Sequence, residues 1–137
     1  MPVKFPGIVI GDTLTVERTV TKEHTVGNYW KTDVEELLST PSLVEMMIEA
    51  SVSLIDSHLP EGFISVGKSA EVTHEHPSLS GATVSVKVEI KSFDGYHIRL
   101  QMVATDESGV VGRGSHVRSI VNKKWLLIKL NRRLMNQ

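Results

Sequence analysis

The chain has 137 residues, enough for one domain with its own core, and its 40% hydrophobic and 23% charged residues are an ordinary globular balance rather than that of a disordered chain. A net charge of −1 gives no electrostatic reason to expect nucleic acid. The absence of cysteine excludes disulfides, thiolate nucleophiles and cysteine-held metals.

The opening Met1-Pro2-Val3-Lys4-Phe5-Pro6-Gly7 is broken by two prolines and a glycine and does not read as a secretory leader. No apolar run is long enough to cross a bilayer, so the expectation is a soluble, cytoplasmic protein without a membrane partner. From Thr13 to Val20 apolar and polar residues alternate, with Leu14, Val16 and Val20 on one face, which predicts a half-buried strand. Thr21 to Ser39 has no clean period and reads as an irregular segment, with one short helix at most, that carries Tyr29 and Trp30 and can act as a lid.

Ser39-Thr40-Pro41 reads as a helix start with Thr40 as the cap and Pro41 in the first turn. The helix runs to about Ser57, where Leu59-Pro60-Glu61-Gly62 ends it. Its apolar residues cover most of the circumference, leaving Glu45, Glu49, Ser53 and Asp56 as a polar edge, so it is expected to be buried. Four strands follow. Ile64–His76 places Val66, Ala70, Val72 and His74 on one face, and Thr83–Phe93 alternates Val84, Val86, Val88 and Ile90 with polar residues. Asp94-Gly95 turns into a strand over Tyr96–Thr105, and Asp106-Glu107-Ser108-Gly109 turns into one over Val110–Val121. The tail from Asn122 reads as a short basic amphipathic helix. One apolar helix among five antiparallel strands is an α+β domain over residues 1–137, the hot-dog arrangement, with a central helix wrapped by the sheet. Open sheet edges call for cover, which a homodimer supplies.

No nucleophile elbow, P-loop or dinucleotide-binding glycine pattern occurs. Gly112-Arg113-Gly114-Ser115-His116 sits within a strand, where glycines serve close packing. His74-Glu75-His76 has a spacing that can hold a metal, but no third ligand is evident nearby, so no metal is expected.

Ser39-Thr40-Pro41-Ser42-Leu43-Val44, Val66-Gly67-Lys68-Ser69-Ala70-Glu71-Val72-Thr73-His74 and Gly114-Ser115-His116-Val117-Arg118 fall in order and at fitting separations. Together they resemble the fluoroacetyl-CoA thioesterase family of hot-dog proteins, from about Gly11 to Leu130. The resemblance implies a homodimer that hydrolyses a short-chain acyl-CoA thioester, with coenzyme A present only as part of the substrate and no other cofactor. It makes Thr40 and His74 catalytic and places Gly67 and Arg118 at the substrate. Tyr29 and Trp30 lie where the family carries an aromatic lid. The residue types suit the chemistry, since a thioester carbonyl needs a nucleophile, a base of near-neutral pKa and donors for an oxyanion.

One position departs from the family pattern. The family's glutamate, eight residues after the threonine, is Ile48 here. Glu49 is no replacement, because at about 100° per residue it points roughly opposite Thr40, whereas Ile48 lies about 80° away. The departure leaves a non-catalytic acyl-CoA-binding module as the alternative, and a thioester dehydratase as a further one that the missing acid disfavours.

Overall fold

The computed structural model describes residues 5–136, so Met1–Lys4, part of the segment read against a leader, lie outside the described residues. The elements are β1 (Thr13–Thr19), two single-turn 3₁₀ helices (Lys22–His24 and Val26–Asn28), α1 (Thr40–Asp56), β2 (Phe63–His74), β3 (Thr83–Phe93), β4 (His97–Asp106), β5 (Gly109–Asn122) and α2 (Lys123–Met135). The five strands make one antiparallel sheet in the order β1-β3-β4-β5-β2, with β1 and β2 at its edges.

The strict alternation of β3 and β4 buries one face of each strand. Val84, Val86, Val88 and Ile90 lie beside Ile98, Leu100, Met102 and Ala104, and all are sealed from solvent. Against them α1 packs Leu43, Met47, Ala50 and Leu54, each worth up to about 3 kcal/mol of apolar burial for the larger side chains. The turn residues act as their chemistry dictates. Gly95 has φ +101°, closed to most side chains, and Asp94 Oδ1 accepts the N–H groups of Tyr96 and His97 at 2.9 and 2.7 Å.

Three details differ from the sequence reading. The cap of α1 is Ser39: its extended backbone (φ −76°, ψ 150°) lets Oγ accept the N–H of Ser42 at 3.2 Å. Thr40 is the first helical residue, and its hydroxyl is free for another partner. The face of β2 also differs, because the register with β5 slips between Gly67 and Ser69, where β2 carries one extra residue. Such a bulge flips the parity of everything beyond it. Ser65 and Gly67 therefore share a face with Ala70, Val72 and His74, while Val66 goes to the other face opposite Ser119. Finally, α1 is buried on only one side: Pro41, Val44, Glu45, Ile48, Glu49, Val52 and Ser53 remain partly or fully exposed. No helix among the described residues is long and apolar enough to cross a membrane.

Candidate functional site

The last residue of β2 and the first of α1 meet at one end of the sheet. Thr40 Oγ1 lies 2.9 Å from His74 Nδ1, a hydrogen bond between residues 34 apart in sequence. Two glycines permit the approach. Gly112 is paired with His74 across β2 and β5, and a Cβ there would come within 2.9 Å of both Leu43 Cδ2 and the Thr73 carbonyl. Without it, the first turn of α1 sits directly on the sheet beside the histidine. Gly114 serves the same close pairing with Glu71 and Val72.

Thr40 is exposed and His74 half-buried. Together they face a pocket of about 330 Å³, whose other walls include Val26, Trp30, Leu37 and His76. Trp30 is 64% exposed and lies with its ring 6.0 Å from that of Tyr29; of this aromatic pair only Trp30 lines the pocket directly. Burial lowers the pKa of His74, an effect the His76 backbone partly offsets, so the imidazole is neutral at physiological pH. If Nδ1 accepts the Thr40 hydroxyl proton, Nε2 must carry the ring hydrogen, and Nε2 is buried with no hydrogen-bond partner among the described residues.

Oxyanion donors are fewer than a helix start suggests. Pro41 has no N–H, and Ser39 takes those of Ser42 and Leu43 through its hydroxyl and its carbonyl. Among the described residues the Thr40 N–H, at the positive end of the helix dipole, is left as the donor beside the Thr40 hydroxyl.

Gly67 and Arg118 are opposite one another on β2 and β5, but not beside Thr40 and His74. Six residues of β5 separate Arg118 from Gly112, a span of about 20 Å. Arg118 is only 6% exposed. Its Nε donates to Ser65 Oγ at 2.7 Å and its Nη2 to the Ser65 carbonyl at 2.9 Å, while Ser65 Oγ donates in turn to Asp56 Oδ1. Its Nη1 lies 3.2 Å from His116 Nε2, and His116 Nδ1 is 2.7 Å from the Ser69 carbonyl. A carbonyl only accepts and a guanidinium only donates, so His116 carries its proton on Nδ1 and is neutral. Burial lowers its pKa, and the charge of Arg118 adds to the effect. Sequence reasoning did not single out Ser65, Asp56 or His116. Asp56 was the available signal, because an acid at a helix C-terminus opposes the dipole and needs a donor.

The other side of α1 carries a larger groove, about 590 Å³, lined by Val44, Ile48 and Val52 with Arg18 and Glu49 at its rim. Pro41 lines both the groove and the Thr40–His74 pocket. Among the described residues no group of three His, Asp or Glu side chains is close enough to hold a metal.

The family model of the fluoroacetyl-CoA-specific thioesterases matches residues 20–124. The chain belongs to that family. The fluoroacetyl-CoA thioesterase of Streptantibioticus cattleyicolor is 27% identical over 121 residues, covering 85% of this chain and 87% of that protein. A hot-dog-like protein from Thermanaerovibrio acidaminovorans superposes with a TM-score of 0.85 at 32% identity, over 94% of this chain and 93% of its own. A solved fluoroacetyl-CoA thioesterase superposes with a TM-score of 0.82 at 25% identity, over 91% and 96%. The hot-dog fold expected from the order of elements is therefore the fold observed. At the position where the resemblance implies a glutamate, Ile48 lines the α1 groove, while Glu49 is exposed with its Oε2 3.7 Å from Arg18 Nε. Neither side chain lines the pocket that holds His74.

Proposed function

We propose that this protein hydrolyses acyl-CoA thioesters, with Thr40 as nucleophile and His74 as base. The observation that carries the reading is the 2.9 Å Thr40–His74 hydrogen bond at the mouth of an open pocket, in a chain of a thioesterase family. His74 Nδ1 takes the hydroxyl proton as Thr40 Oγ1 adds to the thioester carbonyl, and the helix-start N–H steadies the oxyanion. Collapse breaks the C–S bond, and the departing thiolate takes the proton back from His74. Water, deprotonated by the same imidazole, then releases the acid and frees Thr40. Gly67 and Arg118 are assigned to substrate binding at the pocket of a second copy, in a homodimer that pairs through the β2 edge. The compartment assigned is the cytoplasm, and no cofactor is required beyond the CoA of the substrate.

The test is thiol release from a panel of acyl-CoAs, followed across pH. His74→Ala and Thr40→Val are each expected to lose about 10²–10⁴-fold in kcat/KM. Only neutral imidazole is a base, and its pKa is lowered, so wild-type activity falls only below about pH 6.5. Stability moves the same way. The unfolded chain takes up protons at higher pH than buried His74 and His116, so their contribution is complete above about pH 6.5 and is lost as pH falls. Circular dichroism at each pH separates the two effects. An acid limb unchanged in His74→Ala would remove His74 as the base, and CoA binding without thiol release would leave a binding module.

A further inference from the structure

The outer face of α1 is left uncovered by the described residues and carries an apolar strip. Pro41, Val44, Ile48 and Val52 follow one another along it, over about 16 Å of helix. The strip begins at the catalytic pocket, since Pro41 belongs to both walls and Val44 lies one helical turn from Thr40. Its volume of about 590 Å³ exceeds the 330 Å³ beside His74 and falls within the range of small-molecule sites. At the rim Glu45 and Glu49 supply two carboxylates, and Arg18, the one cation among the described lining residues, is already beside Glu49 at 3.7 Å.

We infer that this groove holds the acyl chain, and that Val44 and Ile48 set a preference for neutral, saturated acyl groups of medium length. The inference rests on the thioesterase reading above and names its substrate class. An acyl group attacked at Thr40 has its carbonyl at the start of the strip, and its further methylenes run onto Val44 and then toward Ile48, about 6 and 12 Å along the helix from Thr40. A methylene that leaves water there is worth about fourfold, the equivalent of ~0.8 kcal/mol. An acyl group ending in a carboxylate meets Glu45 and Glu49, with Arg18 already beside Glu49. Ile48 has a steric and apolar part in this arrangement and no part in proton transfer.

The experiment measures kcat/KM for acetyl-, butyryl-, hexanoyl- and octanoyl-CoA, and compares pentanoyl- with glutaryl-CoA. The rate constant is expected to climb about fourfold per methylene to at least six carbons, with glutaryl-CoA tenfold or more below pentanoyl-CoA. Val44→Trp and Ile48→Trp fill the groove at two half-exposed positions. Each folded variant is expected to cut the octanoyl-to-acetyl ratio at least tenfold. A flat profile from acetyl to octanoyl would overturn the inference. So would an unchanged ratio in both variants, or light scattering in which Ile48→Trp splits a dimer while leaving the ratio intact, which would make a second copy the occupant. If no thioester is cleaved, calorimetric titration with acetyl- and octanoyl-CoA still reads the groove. Affinity that rises with chain length then sustains the groove and sinks the hydrolase, and length-independent affinity sinks both.

Discussion

Arg118 anchors a relay of hydrogen bonds that runs from the end of α1 into β5. Its guanidinium satisfies Ser65 and His116, and through Ser65 it reaches Asp56, whose charge opposes the Arg118 pKa lowering caused by burial. Removing the side chain strands the Ser65 carbonyl and the His116 acceptor, and takes a positive charge from near Asp56, which keeps its bonds from Ser65. Arg118→Ala is expected to cost about 3 kcal/mol, roughly 10 °C in Tm for a chain of this size. Arg118→Lys recovers only part of it, because an ammonium cannot reproduce the planar fork. Differential scanning calorimetry checks this, and wild-type melting of Arg118→Ala would mean that the relay carries no stability. The resemblance assigns Arg118 to substrate, so its effect on turnover has to be read on protein shown to be folded at the assay temperature.

At the level of elements, the chemistry depends on how closely α1 approaches the junction of β2 and β5. Gly112 sets that approach, with Leu43 of the first helical turn on one side and the backbone of Thr73 on the other. The Leu43 methyl can yield by a rotamer change, but the carbonyl belongs to the edge strand that carries His74. Gly112→Ala is therefore expected to cost about 1–3 kcal/mol as a small-to-large change in a tight site. It is also expected to lower kcat at temperatures where the variant is fully folded, because the added methyl pushes the Thr40 turn from the imidazole. Thermal melting and kcat measured on one preparation decide it, and unchanged kcat in a destabilised protein would confine the glycine to packing. Sequence reading reached these glycines as packing residues, but not what they pack, since nothing local relates Gly112 to Leu43.

At the scale of the whole molecule, three apolar or hydrogen-bonding surfaces are open among the described residues. β2 is an edge strand whose residues from Gly67 to Glu71 are exposed, α1 shows its groove, and α2 buries none of its residues. Among those of α2, Trp125, Leu127 and Leu134 are each more than 60% exposed. An uncapped edge invites another strand, and the residues about Gly67 would bring Arg118 to a neighbour's pocket. A homodimer through β2 is the expected state in solution, and light scattering should read about twice the 15.2 kDa chain. A monomer at micromolar concentration would leave the Gly67–Arg118 cluster without a route to any Thr40–His74 pocket. Because a dimer couples folding to association, melting temperatures should then rise with protein concentration.

The sequence by itself determined what depends on near neighbours. Period-two alternation placed β1, β3 and β4, Thr40 and Pro41 placed the start of α1, and Asp-Gly and Ser-Gly pairs placed the turns. Three motifs in register, read as a resemblance, named the family. The tertiary structure alone decided which side chains meet. One extra residue in β2 against β5 turned Val66 away and kept His74 inward, and such a slip is a property of two strands, invisible in either. Ser39 rather than Thr40 caps α1, which leaves the threonine hydroxyl to a histidine 34 residues on. Arg118 reads as a strand cation until the sheet folds it beneath α1, where burial forces every donor to find an acceptor. Periodicity is a local property of the chain, whereas a site is made of contacts whose sequence separation periodicity does not encode.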